Sequence, residues 1–209
     1  RWGITPNLAL AGTLNPDFSQ VEADARQLDI NEPFALFFEE KRPFFMEGAD
    51  FFSTPLSTVY TRTVRDPSWG LKLTGKEGRH TIGAYVLQDE LTNLIFPGSQ
   101  SSDATSLEEE SQAAVLRYKR DLGNRYTLGA LITAREGEGG YANRVFGIDG
   151  DLRFSPADRL FFQALGSSTR YATGVAREFD QPLGTFEDEA LYLHYVHEKR
   201  DYFLWGTLL

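Results

Sequence analysis

From residue 69 onward, apolar and polar side chains alternate along the chain, interrupted by short polar or glycine-containing stretches. In segment 145–154 the large apolar side chains are Phe146, Ile148, Leu152 and Phe154, and the charged side chains at alternate positions are Asp149, Asp151 and Arg153. Because successive side chains of a strand point to opposite faces, this pattern predicts strands with one apolar and one polar face. It predicts eight strands, at about 69–76, 79–88, 111–121, 124–135, 142–154, 159–170, 187–198 and 201–209.

The predicted connections between these strands alternate in length. Short turns fall at 76–79, 121–124, 155–158 and 198–201, and longer loops fall at 89–110, 136–141 and 171–186. Antiparallel pairing would place all the short turns at one end of the sheet and all the longer loops at the other. Outer-membrane β-barrels have this asymmetry, with lipid outside and water inside their two-faced strands. A soluble β-sandwich also alternates, with its apolar face in a core, so the loop asymmetry is what favours the barrel.

The first 68 residues are less regular. Segments 2–14, 20–31 and 57–65 predict three further strands, which gives eleven in all. Segment 32–56 has no strand period and is rich in Phe and charged residues, so we expect an insert that packs in the lumen or at the rim of a barrel. The sequence therefore predicts an all-β fold, a single antiparallel transmembrane β-barrel segment over 1–209 that is truncated at both ends and has about 11 strands.

Composition argues against several classes of function. The chain has no Cys, which excludes disulfides and thiolate metal sites. Its formal net charge of −9 and pI of about 4.9 argue against a nucleic-acid-binding surface. It has no run of eighteen apolar residues, so no transmembrane helix is predicted. Because a barrel strand is apolar on only one face, the mean hydropathy of −0.35 is compatible with a membrane barrel.

Two stretches near the start resemble one family of bacterial proteins. Segments 5–8 (TPNL) and 15–24 (NPDFSQVEAD) are similar to the opening of that family's barrel, and segment 37–52 (FFEEKRPFFMEGADFF) is similar to its most distinctive motif. Fainter similarity continues in three later stretches, 71–76, 117–121 and 127–130. The family is an uncharacterised group of outer-membrane β-barrel proteins whose members usually carry an N-terminal family-nine carbohydrate-binding-like domain.

This resemblance implies a membrane barrel and, through the additional domain of the family, a connection with carbohydrate. It implies no catalytic residue, because no activity is established for the family. The chain departs from the family in two respects: it carries only the barrel part, and the stretch after Arg62 is shorter than in the family pattern.

The densest group of chemically capable residues lies in segment 39–50. Its members are Glu39, Glu40, Lys41, Arg42, Phe44, Phe45, Glu47 and Asp50. They could bind a sugar or a cation, or two of the carboxylates could act as acid and base, which in glycosidases requires a separation of about 5–10 Å. In the structural alternative, Lys41 and Arg42 pair with nearby carboxylates and the Phe side chains fix the insert to the barrel. We favour the structural alternative, with ligand binding second and catalysis last.

No metal and no cofactor are expected. The acidic residues of 15–24 lack the spacing of a calcium loop, and His194 and His197 would lie on opposite faces of a strand. We expect an outer-membrane protein of a Gram-negative bacterium that acts in surface binding or transport, with outer-membrane lipid and carbohydrate as partners. An enzyme is the less favoured expectation. That alternative is a soluble or surface carbohydrate-active β-rich module, similar to a glycoside hydrolase, which uses the carboxylates of 39–50.

Overall fold

The computed structural model describes residues 1–16, 40–96, 103–107 and 109–209. The strands are β1 (Trp2–Thr5), β2 (Leu8–Leu14), β3 (Pro67–Glu77), β4 (His80–Asp89), β5 (Thr92–Phe96), β6 (Asp103–Leu107), β7 (Ser111–Leu122), β8 (Tyr126–Gly137), β9 (Ala142–Arg153), β10 (Asp158–Arg170), β11 (Thr185–Lys199) and β12 (Tyr202–Leu208). The helices are α1 (Pro43–Met46), α2 (Thr173–Glu178) and three single 3₁₀ turns at Ala49–Phe52, Thr61–Thr63 and Glu138–Gly140. No helix within these residues is long and apolar enough to cross a membrane.

Ten strands form one antiparallel sheet in the order β1-β2-β3-β4-β7-β8-β9-β10-β11-β12, and β5 and β6 form a separate hairpin. Strands β1 and β12 lie at the two edges, so the sheet is open, which fits an incomplete barrel. The all-β antiparallel prediction is therefore confirmed. Both ends of each of the eight strands predicted from residue 69 onward lie within two residues of the ends of an observed strand.

The structure corrects three predictions, at 57–65, 2–14 and 89–110. The strand predicted at 57–65 is wrong, because this stretch holds a 3₁₀ turn and only one isolated bridge, from Val64 to Thr92. Segment 2–14 is two strands, β1 and β2, which form a hairpin. The loop predicted at 89–110 contains the β5–β6 hairpin. The strand predicted at 20–31 lies outside the residues that the structure describes.

The two faces of the large sheet differ in chemistry. We call the face that carries Leu116, Ile132 and Phe146 the outer face; these three side chains lie side by side on β7, β8 and β9 and are each about half exposed. We call the opposite face the inner face. It carries the ion pair between Arg117 and Asp149 and is covered in part by residues 40–66. The alternation in the sequence therefore corresponds to an exposed apolar face and a polar, partly covered face.

A second cluster lies at the loop end of the sheet. The hairpin β5–β6 packs over α2, and the buried members of the cluster are Leu94, Phe96, Tyr141 and Val175. The Phe96 ring stacks on Phe179 with a centroid distance of 4.5 Å. The three longer loops, 89–110, 136–141 and 171–186, therefore share a small apolar core of their own.

Candidate functional site

The described part of the predicted insert, residues 40–56, and the following residues 57–66 lie against the inner face of the sheet. From here on, residues 40–66 are called the insert. Pro43 begins α1, where its missing N–H costs no hydrogen bond. Phe45 and Phe52 are buried against the ring of Tyr85, with centroid distances of 6.4 and 5.4 Å. Leu87, Val115 and Leu131 of the sheet complete this core. Phe45 and Phe52 therefore hold the insert against the sheet.

Arg42 organises the insert from its centre. Its side chain is fully buried, and its Nη1 and Nη2 donate to the carbonyls of Val64 (2.5 Å) and Thr61 (2.7 Å). Its Nε and Nη2 also donate to the two carboxylate oxygens of Glu40, at 2.9 and 2.8 Å. The guanidinium lies 4.4 Å from the centre of the Phe45 ring. A buried charge requires such partners, and here one arginine ties the start of the insert to its end.

Glu40 is the carboxylate to which Arg42 is paired. Burial favours its neutral form, but hydrogen bonds from Arg42 and from the Thr61 hydroxyl outweigh burial and lower the pKa of Glu40 from 4.5 to about 2. Both carboxylate oxygens accept side-chain hydrogen bonds, including one of 2.6 Å from Thr61. Glu40 is therefore ionised at neutral pH and holds no proton to donate, which is unsuitable for a general acid.

This ion pair predicts a pH dependence. Because the pKa of Glu40 is lower in the folded chain, its contribution to the free energy of unfolding is complete above pH 4.5 and is lost as pH falls towards 2. We expect the stability difference between the wild type and Glu40→Gln to shrink over this range. Urea unfolding at several pH values measures it, with Asp50→Asn, an exposed carboxylate of the same insert, as the control. A difference that is constant from pH 7 to 2 would contradict the assignment.

Three side chains of the sheet hold the backbone of the insert. Lys72 on β3 donates to the carbonyls of Phe44 and Glu47. Gln163 on β10 accepts from the N–H of Leu56 at 2.6 Å and donates to the hydroxyl of Thr58 at 3.2 Å. Asp89, at the end of β4, accepts from the N–H groups of Arg65 and Asp66. The insert is therefore fastened at its beginning, middle and end.

Among the remaining candidate residues, Lys41 donates its backbone N–H to the carboxylate of Glu40 at 3.1 Å. Glu47 forms an ion pair with Arg1, and Asp50 is exposed on the 3₁₀ turn. Phe44 is half-buried, and its ring lies 5.0 Å from the ammonium group of Lys72. Glu39 lies outside the described residues. Within the described part of the chain, no group of three or more His, Asp or Glu side chains is arranged to hold a metal ion.

The sequence analysis did not identify the polar side chains that the sheet itself contributes to the inner face. Arg117 on β7 forms a bidentate ion pair with Asp149 on β9, at 2.5 and 2.7 Å, by reaching over Gly129 of the strand between them. Arg135 on β8 pairs with the buried Asp89 at 3.0 Å. The signal for Asp149 was present as the charged face of segment 145–154. The identity of its partner was not, because that depends on which strands are neighbours.

Comparison with known proteins gives one family match. Residues 1–76 match a family described as a domain of unknown function, DUF5916. No curated protein and no solved structure matches the chain. The matched region contains both motifs on which the resemblance rests, residues 5–24 and 37–52. The similarity to an uncharacterised family is thus confirmed over these 76 residues, and it carries no information about a carbohydrate-binding-like domain or about a membrane.

Proposed function

We propose that this chain forms part of the wall of a β-barrel in the outer membrane of a Gram-negative bacterium, with the insert in its lumen. The outer face is apolar and exposed on one strand after another, with Leu71, Leu116, Ile132, Phe146 and Ile148 among its exposed side chains. Soluble proteins rarely expose an apolar surface that continues across many strands, whereas a barrel wall presents one to lipid.

The observation that carries the proposal is the slope of this apolar band across the sheet. We take the edge of the band at the end of the sheet that carries the longer loops. There the first apolar side chain of the outer face is Trp69 on β3 and Leu191 on β11. Strand pairing places Trp69 in one hydrogen-bonded row with Thr185, which lies 191 − 185 = 6 residues before Leu191. Six strand-to-strand steps separate β3 from β11, so the band moves by one residue per strand.

This slope gives the angle between the strands and the normal to the band. With a rise of about 3.3 Å per residue and strands about 4.8 Å apart, one residue per strand corresponds to about 35°. Strands of outer-membrane barrels tilt by about 35–45° from the membrane normal. If the apolar band lies in the membrane plane, the strands are therefore tilted as the closure of a barrel requires.

The chemistry of the inner face also supports a lumen. Three ion pairs lie on it, Arg117 with Asp149, Arg159 with Asp151 and Lys76 with Asp121. A water-filled or plugged interior accommodates such pairs, and an interior shared with a second apolar sheet would not. The insert covers part of this face, which supports a role in surface binding or transport in which the lumen is narrowed by the chain itself.

The glycoside-hydrolase-like alternative receives less support. Glu40 is ionised and bound through both oxygens by Arg42 and Thr61, and Glu47 is paired with Arg1. The pKa of Glu40 is lowered, whereas a catalytic acid needs surroundings that raise it. Glu40 and Glu47 are therefore better explained as structural groups.

The proposal predicts that Ile132→Lys is destabilising in lipid. Because Ile132 is 47% exposed, the change costs little in a soluble protein, but on a lipid-facing strand it costs about 2–4 kcal/mol. The measurement is reversible urea unfolding of the full chain in phospholipid vesicles, together with heat-modifiable mobility in gel electrophoresis. Ser167→Lys, on the inner face of β10 beyond the described contacts of the insert, is the control. A protein that is monodisperse without detergent and unaffected by Ile132→Lys would overturn the proposal.

A further inference from the structure

Beyond the insert, the inner face of β10, β11 and β12 carries aromatic side chains. We call Phe161, Tyr192, His194 and Trp205 the aromatic strip. Strand pairing places them on one face, since Phe161 lies opposite His194 and Trp205 lies opposite Val196, two residues further along β11. The ring of His194 is 6.0 Å from Phe161, 6.3 Å from Tyr192 and 6.2 Å from Trp205. The four rings thus form one aromatic cluster in which His194 contacts the other three.

The described part of the insert does not cover the aromatic strip. The buried core beneath the insert ends at Leu131 on β8, and the last wall residue that binds the insert is Gln163 on β10. Trp205 is 60% exposed, and Phe161, Tyr192 and His194 are partly exposed. Lipid is not the partner of these rings under the proposed function, because they lie on the face opposite the apolar band.

Polar groups adjoin the aromatic strip along one hydrogen-bonded row. Asp121, Thr127 and Asp151 precede Phe161 in that row, and His194 and Thr207 follow it. Asp121, Thr127 and Asp151 border an open cleft of about 410 Å³ at the end of the sheet that carries the short turns. The guanidinium of Arg159, which is held by Asp151, lies over one face of the Phe161 ring, 4.3 Å from its centre.

We infer that the aromatic strip binds the sugar rings of an oligosaccharide in the lumen. One face of a pyranose ring presents C–H groups that pack on aromatic rings, while its hydroxyls bind carboxylate, guanidinium and hydroxyl groups. The strip supplies the first kind of contact, and Asp151, Arg159 and Thr127 supply the second. A ligand site commonly combines an aromatic lining with a few placed polar groups. The inference rests on the proposed barrel and names the ligand class and the residues of its binding or transport role.

Tryptophan fluorescence tests the inference, because the chain has only three Trp residues. The full chain with Trp2→Phe and Trp69→Phe reports on Trp205 alone and is folded in a detergent without a sugar headgroup. We expect saturable changes in its emission on titration with at least one of four probes: maltohexaose, cellohexaose, xylohexaose and oligogalacturonate. The matched control carries Trp2→Phe and Trp205→Phe, which leaves Trp69 on the outer face, and its emission should not change.

A substitution pair then tests the face of the sheet. Phe161→Ala should weaken the best probe's affinity at least tenfold, and Phe162→Ala, the next residue but on the outer face, should leave it unchanged. Heat-modifiable mobility is checked first in every variant. A protein without it overturns the proposed function. A heat-modifiable protein in which Trp205 responds to no probe, or in which both Phe variants bind equally well, overturns this inference alone. If the emission of Trp205 is strongly blue-shifted and responds to no probe, another segment of the chain covers the aromatic strip, and this inference is overturned as well.

Discussion

Replacing Arg117 by Met is expected to lower the free energy of unfolding in lipid vesicles by about 3–5 kcal/mol, because removing one partner of a buried ion pair leaves the other charge uncompensated. The side chain of Arg117 is 1% exposed and that of Asp149 is 12% exposed, so water cannot replace the lost hydrogen bonds. Reversible urea unfolding measures the change. The structure leaves room for this pair only because residue 129 is Gly: a Cβ there would lie 2.5 Å from Nη1 of Arg117.

A second ion pair of the same sheet provides the control. Arg144 pairs with Glu136 on the outer face, where the two side chains are 63% and 56% exposed. Arg144→Met should therefore cost no more than about 1 kcal/mol. The double variant Arg117→Met with Asp149→Leu should recover part of the loss, because it removes both charges. Equal losses for the two arginine variants would contradict the role assigned to the buried pair.

Arg42→Met is expected to detach the insert without unfolding the sheet. The variant removes hydrogen bonds to Val64 and Thr61 and leaves Glu40 without its partner, so the insert should open more easily by about 3 kcal/mol. Amide hydrogen exchange in residues 40–66 should then accelerate about 100-fold, since each 1.4 kcal/mol is a factor of ten. The amides of β9 and β10 should exchange as in the wild type.

The control for the insert is an exposed charge of the same segment. Asp50→Asn removes the charge of Asp50, which is exposed on the 3₁₀ turn, so exchange in 40–66 should change little. If the proposed barrel is right, Arg42→Met should also raise the permeability of vesicles to small sugars, because the insert no longer narrows the lumen. Faster exchange in β9 and β10 to the same extent would show that Arg42 supports the whole sheet and would contradict its local role.

The strands from residue 69 onward could be predicted because their signal is local. Each strand carries its own period of two, and each turn carries its own Gly, Pro or Asp. The strand predicted at 57–65 failed for a non-local reason. The carbonyls of Thr61 and Val64 accept hydrogen bonds from Arg42, about twenty residues earlier, instead of from a neighbouring strand. Nothing in the pattern of 57–65 itself contains that information.

The candidate site could be located from the sequence, but the residues that anchor it to the sheet could not be predicted. The unusual composition of 39–50 marked the insert, and the pairing of Arg42 with a nearby carboxylate could be predicted from their proximity in sequence. The residues that fasten the insert, Lys72, Asp89 and Gln163, come from three separate strands. Single polar residues of this kind have no pattern that marks them as anchors.

The antiparallel strands of this protein, each with an apolar and a polar face, could be predicted from the order of residues, because side-chain alternation is a property of each strand alone. The order and register of the strands are set only when the chain folds. Register places Arg117 within reach of Asp149, gives the apolar band its slope, and gathers Phe161, His194 and Trp205 on one face. These features arise between strands, where hydrogen bonds set distances that the pattern along any one strand does not contain.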